Sequence, residues 1–371
     1  MNVERLHAIA SALRADIEKT DLMANMQKLI SGLQNQVSQP GQPQFQQQVG
    51  QALVDLQTSL TKSEVHLFSP AWRQVMEELG ASTILGTSLE EQVKEIFARN
   101  QITPSVALQD LQRIHSELQS LVTSLDQLLS SFRQLHIGED ELEKGESEVG
   151  VLIPRGFVKN QLGEFSDELK ELNQIFGVFS ELTIGSRPGF QIKTISSSDL
   201  TVYIMTPPAV AASIAVAVGW IIATYKNLLE IRKLQGDLAK QGLDKKELKG
   251  IEDHSNKVMS KGIDLLVLEL LAEAHKGLDS GRKNELSVEL KYSLTKLANR
   301  VDRGFNIEVR MSAPESPESE NEQEPAELSE KAVEHFDKIK AASKNLQFLK
   351  LVGEPILSLS EEKTAKNKKA E

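Results

Sequence analysis

The chain contains no cysteine, and only 5% of its 371 residues are aromatic. Without cysteine there are no disulfides, no thiolate metal sites and no cysteine nucleophile. That suits a reducing compartment, so the expected location is the cytoplasm, with membrane association as the alternative. The opening residues, MNVERLHAIASALRADIEKT, mix charged and apolar side chains from the start. They lack the apolar core of a secretory signal, so export is not expected.

Phosphate-binding glycine patterns are also missing. There is no G-x-x-x-x-G-K-[ST] and no G-x-G-x-x-G. Gly185 and Gly189, in GSRPG, read as a turn between strands. No G-x-S-x-G elbow and no H-E-x-x-H occurs. The histidines do not pair at ligand spacing, and Glu139-Asp140-Glu141 lacks the spaced oxygens and central glycine of a calcium loop. We therefore assign no catalytic residue, no cofactor and no metal ligand, and an enzyme is not expected. Positive charge is in deficit as well: 42 Lys and Arg face 53 Asp and Glu, a net charge of -11. An acidic surface repels phosphate backbones, so duplex nucleic acid is not an expected partner.

What is present is helix-forming sequence. At 40% hydrophobic and 26% charged, the chain can fill a real core, and its length suggests two domains. Leu6, Ile9, Leu13 and Ile17, then Met26, Leu29, Leu33 and Val37, recur at helical spacing. SQPGQPQFQQQ breaks the pattern, and Phe45 to Leu60 restores it. Ser69-Pro70 opens a short helix, and Ser88-Leu89-Glu90-Glu91 reads as a capping box for the next, which ends near Asn100. The clearest helix follows Thr103-Pro104. Leu111, Ile114, Leu118, Leu121, Leu125, Leu128, Phe132 and Leu135 alternate three and four apart, a heptad seam that Gly138 stops. Such a seam needs a partner. Earlier helices of the same chain are the favoured cover. A second copy or another protein is the alternative, which makes these eight residues candidate interaction residues.

Residues 139–148 are acidic and poor in apolar side chains. GVLIP reads as a strand, and Val158 to Phe176 as a helix. ELTIG, GFQIKTIS, DLTVYIM and Phe305–Met311 alternate as strands. The run Ser196-Ser197-Ser198-Asp199 reads as a turn, with a small-ligand contact as its functional alternative. Arg155 and Arg187 are candidate anion contacts that default to solvent.

The segment PPAVAASIAVAVGWIIATYKNLLEIRKLQ poses the main question. No charge falls between Pro207 and Tyr225, which approaches the ~20 apolar residues of a membrane span. Ala211, Ala215, Gly219 and Ala223 form a small-residue ridge for close helix packing, and Trp220 and Tyr225 could sit at an interface. Three features favour a buried core helix. The apolar content is alanine-rich, the stripe continues through Leu228, Ile231, Leu234 and Leu238, and no export signal precedes it. The basic run after Tyr225 (Lys226, Arg232, Lys233, Lys240, Lys245, Lys246 and Lys249) is interrupted by acids and reads as a solvated face or contact surface. Val258–His275, containing IDLLVLELL, is apolar nearly all round and reads as a buried helix.

The expected fold is mostly α, of the α+β class. A helical bundle with the heptad seam spans 1–138, and an acidic linker spans 139–148. An α+β domain spans 149–311, with a small antiparallel sheet packed on the central apolar helix 208–242. A disordered acidic linker covers 312–327, and a last helix with a loose charged tail covers 328–371. The expected function is that of a non-enzymatic interaction or scaffold protein acting through helical surfaces on a protein partner or a second copy. A membrane-inserting effector using 208–225 is the first alternative. A small-ligand sensor or enzyme using 196–199 is the second.

Overall fold

A computed structural model describes residues 3–196, 200–240, 245–314, 326–349, 351 and 354–361, without the side chains of 236, 238–240, 245–249, 251 and 326–329. Among them are eleven α-helices and one four-stranded antiparallel sheet, an α+β fold dominated by helix. The chain divides into two compact units, Met1–Glu141 and Leu142–Glu371, each with its own hydrophobic core.

The first unit is all helical: α1 (Val3–Lys19), α2 (Leu22–Ser38), α3 (Pro43–Leu60), α4 (Pro70–Glu78), α5 (Gly86–Arg99) and α6 (Pro104–Gln134). Ser69 caps α4 by accepting from the Trp72 N–H. The Ser88 capping box is not used. Helix α5 already starts at Gly86, whose φ of 58° suits a residue without Cβ, so Ser88 lies inside the first turn. Asn100 does cap α5, but at φ -111° rather than in the left-handed region, and its amide donates to the Ile96 carbonyl. Buried charges in this unit are compensated. Asp16 accepts from the Ser63 hydroxyl and the Glu64 N–H, tying α1 to the turn after α3. Asp140 pairs with Arg5 at 2.8 Å, and both are buried. The acidic stretch read as a linker thus begins with a residue anchored in the bundle.

The second unit contains β1 (Ser147–Leu152), α7 (Leu162–Ile184), β2 (Gln191–Ile195), β3 (Thr201–Thr206), α8 (Pro208–Lys240), α9 (Lys245–Ala272), α10 (Ser280–Asp302), β4 (Asn306–Met311) and α11 (Ala326–Ser343). The sheet order is β2-β3-β1-β4, antiparallel throughout. Strand β1 starts three residues before the GVLIP reading, and it takes Ser147 and Glu148 out of the supposed linker. Val149 stands opposite Ile204 and Val309, and Val151 opposite Val202 and Ile307, so one face is aliphatic and joins the core. On the other face Glu148 takes Arg310 as its cross-strand partner at 3.0 Å.

ELTIG is not a strand. It is the last turn of α7, ended by Gly185 at φ 76°. Its alternating apolar residues also fit a helix whose one face is buried, which a five-residue window cannot distinguish. The acidic segment expected to be disordered falls mostly on 315–325, outside the described residues, as do 362–371 of the expected loose tail.

Helix α8 lies at the centre and packs on α7, α9, α10, α11, β1 and β4. The close approaches depend on small residues. A Cβ on Gly219 would sit 3.4 Å from the Ala342 carbonyl oxygen of α11. A Cβ on Gly262 of α9 would sit 2.3 Å from the Trp220 ring, closer than any real contact. Gly262→Ala is therefore expected to push the indole aside and cost about 1–3 kcal/mol as overpacking. Thermal melting checks this, and an unchanged or raised Tm would contradict the packing described.

Candidate functional site

The heptad seam is spent inside the first unit. Leu111, Ile114, Leu118, Leu121, Leu125 and Phe132 are buried, Leu128 is half-buried, and only Leu135 is exposed. Helices α1, α2 and α5 lie against α6. A seam so covered offers little outward surface, because each buried leucine already has its apolar contacts.

The small-residue ridge of α8 is likewise internal. Ala211, Ala215 and Gly219 are buried, Ala223 is half-buried, Trp220 lies over Gly262, and Tyr225 is fully buried. Pro208–Gln235 is long and apolar enough to cross a membrane, and most of its apolar window is inside the unit. The apolar stripe ends earlier than expected, since Leu234 is 55% exposed, and Leu238 has no described side chain.

The basic run after Tyr225 is not simply solvated. Arg232 is 4% exposed and belongs to a polar joint. Its Nη1 donates to the Tyr225 hydroxyl at 2.6 Å, and to both the carboxylate Oδ1 and the carbonyl of Asp302 at 2.8 Å. Tyr225 donates to the same Oδ1. Residues 225 and 232 are two helical turns apart, so both face α10. Burial pushes the Asp302 carboxyl up, against hydrogen bonds from Tyr225 and Leu357 and the charge of Arg232. Burial also raises the Tyr225 phenol, helped by the neighbouring Asp302 charge. Such a joint holds helices together and has no open face for a substrate.

The other arginines singled out are paired too. Arg187 donates to Glu181 at 2.6 Å and also to Glu289. Arg282 donates to Glu181 at 2.5 and 2.8 Å, and these bonds, chiefly that from Arg282, hold the Glu181 carboxyl at about 2. Arg155 donates to Asn160. Arg300 makes a buried two-point pair with Glu168, at 2.6 and 2.8 Å, joining α10 to α7. Of the serine run, Ser196 is buried and its N–H donates to the Thr201 carbonyl; Ser197, Ser198 and Asp199 lie outside the described residues.

Among the described residues no group of three His, Cys, Asp or Glu could hold a metal ion. A cleft of about 900 Å³ opens at the start of α8 between Glu143, Glu146, Phe190, Met205 and Thr206. Its Ser147 hydroxyl is donated to the Thr206 carbonyl at 2.6 Å, so it is engaged with backbone and not with a base.

An outward apolar surface lies on α9 and α10. On α9, Ile263, Leu266, Val267 and Leu270 are buried, but Leu265 is 69% and Leu268 66% exposed. IDLLVLELL is apolar nearly all round yet covered on only one side, which corrects the reading as a buried helix. Lys291 of α10 pairs with Asp264 at 2.5 Å. That brings Val288, one turn before Lys291 and 54% exposed, alongside Leu268, one turn after Asp264. Val258, at 37% exposure, extends the stripe along α9.

The sequence reading also missed a bound strand-like segment. Residues 355–361 form no helix or strand and lie against α9 and α10, with Ile356 and Leu357 buried. The Leu357 N–H donates to Asp302 Oδ2 at 2.7 Å, the Ser358 N–H to Asn256 Oδ1 at 2.9 Å, and the Leu359 N–H to Asn299 Oδ1 at 3.1 Å. The alternation Leu357-Ser358-Leu359-Ser360 was the available signal. No family model, no curated protein and no solved structure matches the chain.

Proposed function

We propose that this is a non-enzymatic interaction protein whose contact surface is the outward stripe of α9 and α10. The observation that carries this reading is the exposure of Leu265, Leu268 and Val288 on adjacent helices of the second unit. Apolar side chains clustered on a surface and rimmed by charge mark a protein contact more often than solvent-facing residues scattered singly. The charge order suits a second copy. Lys261 lies four residues before Leu265 and Glu269 four residues after, both exposed. An antiparallel pair of α9 helices centred on Leu265 would set each Lys261 against the other copy's Glu269, as a two-fold interface requires. A cytoplasmic setting fits the absence of cysteine.

Light scattering over a wide concentration range tests this. The wild-type mass should rise with concentration, and Leu265→Glu with Leu268→Glu should hold it at the monomer. Both substitutions are on the surface, so stability should shift by no more than about 0.5 kcal/mol per site. A wild-type chain that stays monomeric at the highest concentration would sink the self-pairing reading.

A further inference from the structure

We propose that the groove between α9 and α10 is a recognition site for an extended peptide, and that residues 354–361 are its resident occupant. This surface is separate from the outward stripe of α9.

The bonding pattern carries the proposal. Successive N–H groups of an extended chain point to opposite sides. The N–H groups of Leu357 and Leu359 go to Asp302 and Asn299, which lie three apart on one face of α10. The intervening Ser358 N–H goes the other way, to Asn256 of α9. The two helices thus receive alternate amides, as two neighbouring strands would. Asn299 completes the likeness. Its Oδ1 accepts from the Leu359 N–H at 3.1 Å while its Nδ2 donates to the Leu359 carbonyl at 3.0 Å. A primary amide presents the donor and acceptor of a peptide group, so this is a strand-pairing contact made by a side chain. Asn256 also donates to the Ser358 hydroxyl at 3.1 Å.

Backbone bonds of this kind bind any extended chain, and specificity comes from what is buried. Ile356 and Leu357 are buried and Leu359 is half-buried, whereas Glu354, Pro355, Ser358 and Ser360 face solvent. The matching ligand is an extended segment of a partner protein with two adjacent aliphatic residues, a small hydroxyl residue and a third aliphatic. The outer side of the occupant faces solvent at Glu354, Pro355, Ser358 and Ser360. Its departure frees the polar Asp302, Asn256 and Asn299 but also uncovers the core that Ile356 and Leu357 fill, so the expected event is exchange for a peptide that refills those two places. While tethered, it competes with any free peptide at an effective concentration on the order of mM.

The test is a fluorescence-anisotropy titration with a labelled peptide of the sequence of residues 354–361, against the full chain. Leu357→Asp expels the strap by placing a carboxylate in its apolar contact. Ser358→Pro does so by deleting the amide that Asn256 holds. Either variant should bind the peptide at least about ten-fold more tightly than wild type, because the internal competitor is gone. Adding Asn299→Ala should remove that gain, and a scrambled peptide should show none. If a variant keeps its circular dichroism and cooperative melt yet shows no saturable binding, the proposal is overturned. If both variants lose cooperative folding, the strap is a fixed part of the core, and the proposal is overturned as well.

Discussion

Asp302→Ala is expected to lower the stability of the second unit by about 3–5 kcal/mol, the cost of leaving one partner of a buried ion pair uncompensated. Asp302 is fully buried and accepts from the Tyr225 hydroxyl, the Arg232 guanidinium and the Leu357 N–H. Alanine takes from Arg232 the carboxylate it pairs with at 2.8 Å, while the residue-302 carbonyl and the Tyr225 phenol stay as neutral acceptors. Asp302→Asn keeps an acceptor for Leu357 and should cost less, which separates the charge from the hydrogen bonds. The chain has two tryptophans, Trp72 in the first unit and Trp220 in the second. In a Trp72→Phe background, denaturant unfolding followed by fluorescence reports the second unit alone. A loss below about 1 kcal/mol there would mean that the joint is far more hydrated than its burial implies.

The second large effect is expected from Ala215→Asp. Ala215 is fully buried in the core around α8. Carboxyls in such places have pKa values raised by about four units, to about 8, so at neutral pH the group must be protonated from an ordinary value of about 3.9, which at 1.36 kcal/mol per unit costs about 4 kcal/mol. This approaches the lower end of an ordinary domain's whole stability, about 5–15 kcal/mol. The second unit should lose its cooperative transition while Trp72 reports an unchanged first unit. The same variant tests the membrane alternative. If the wild type floats with vesicles, and Ala215→Asp folds normally but no longer floats, α8 acts in a bilayer and the core reading fails.

How much of this was legible follows from what periodicity can carry. The α6 helix, the Pro208 start of α8 and the strands β2, β3 and β4 were readable because each has a long one-sided pattern or a breaker at its edge. ELTIG failed because five residues do not separate a strand from the end of a helix. Ser88 failed because Gly86, at positive φ, opened α5 a turn earlier. The exposure of Leu265 and Leu268 was hidden for a different reason. When every face of a helix is apolar, the sequence does not mark which face the neighbours cover. The polar joint and the strap were hidden because Tyr225, Arg232, Asp302, Asn299 and Leu357 meet across up to 132 residues of chain (Tyr225 to Leu357), and pairwise polar contacts leave no periodic trace.

The joint also answers a problem that α8 sets for itself. From Val210 to Ile222 its fully buried side chains are alanine, valine and isoleucine, with Gly219 among them, and such a surface is nearly smooth. A smooth helix can slide along its neighbours by one turn, about 5.4 Å, and find contacts almost as good. Arg232 removes that freedom. A one-turn slide would carry its guanidinium away from Asp302 and break a buried ion pair. The trio thus acts as an index pin, setting the single alignment in which Trp220 meets Gly262 and Gly219 meets Ala342.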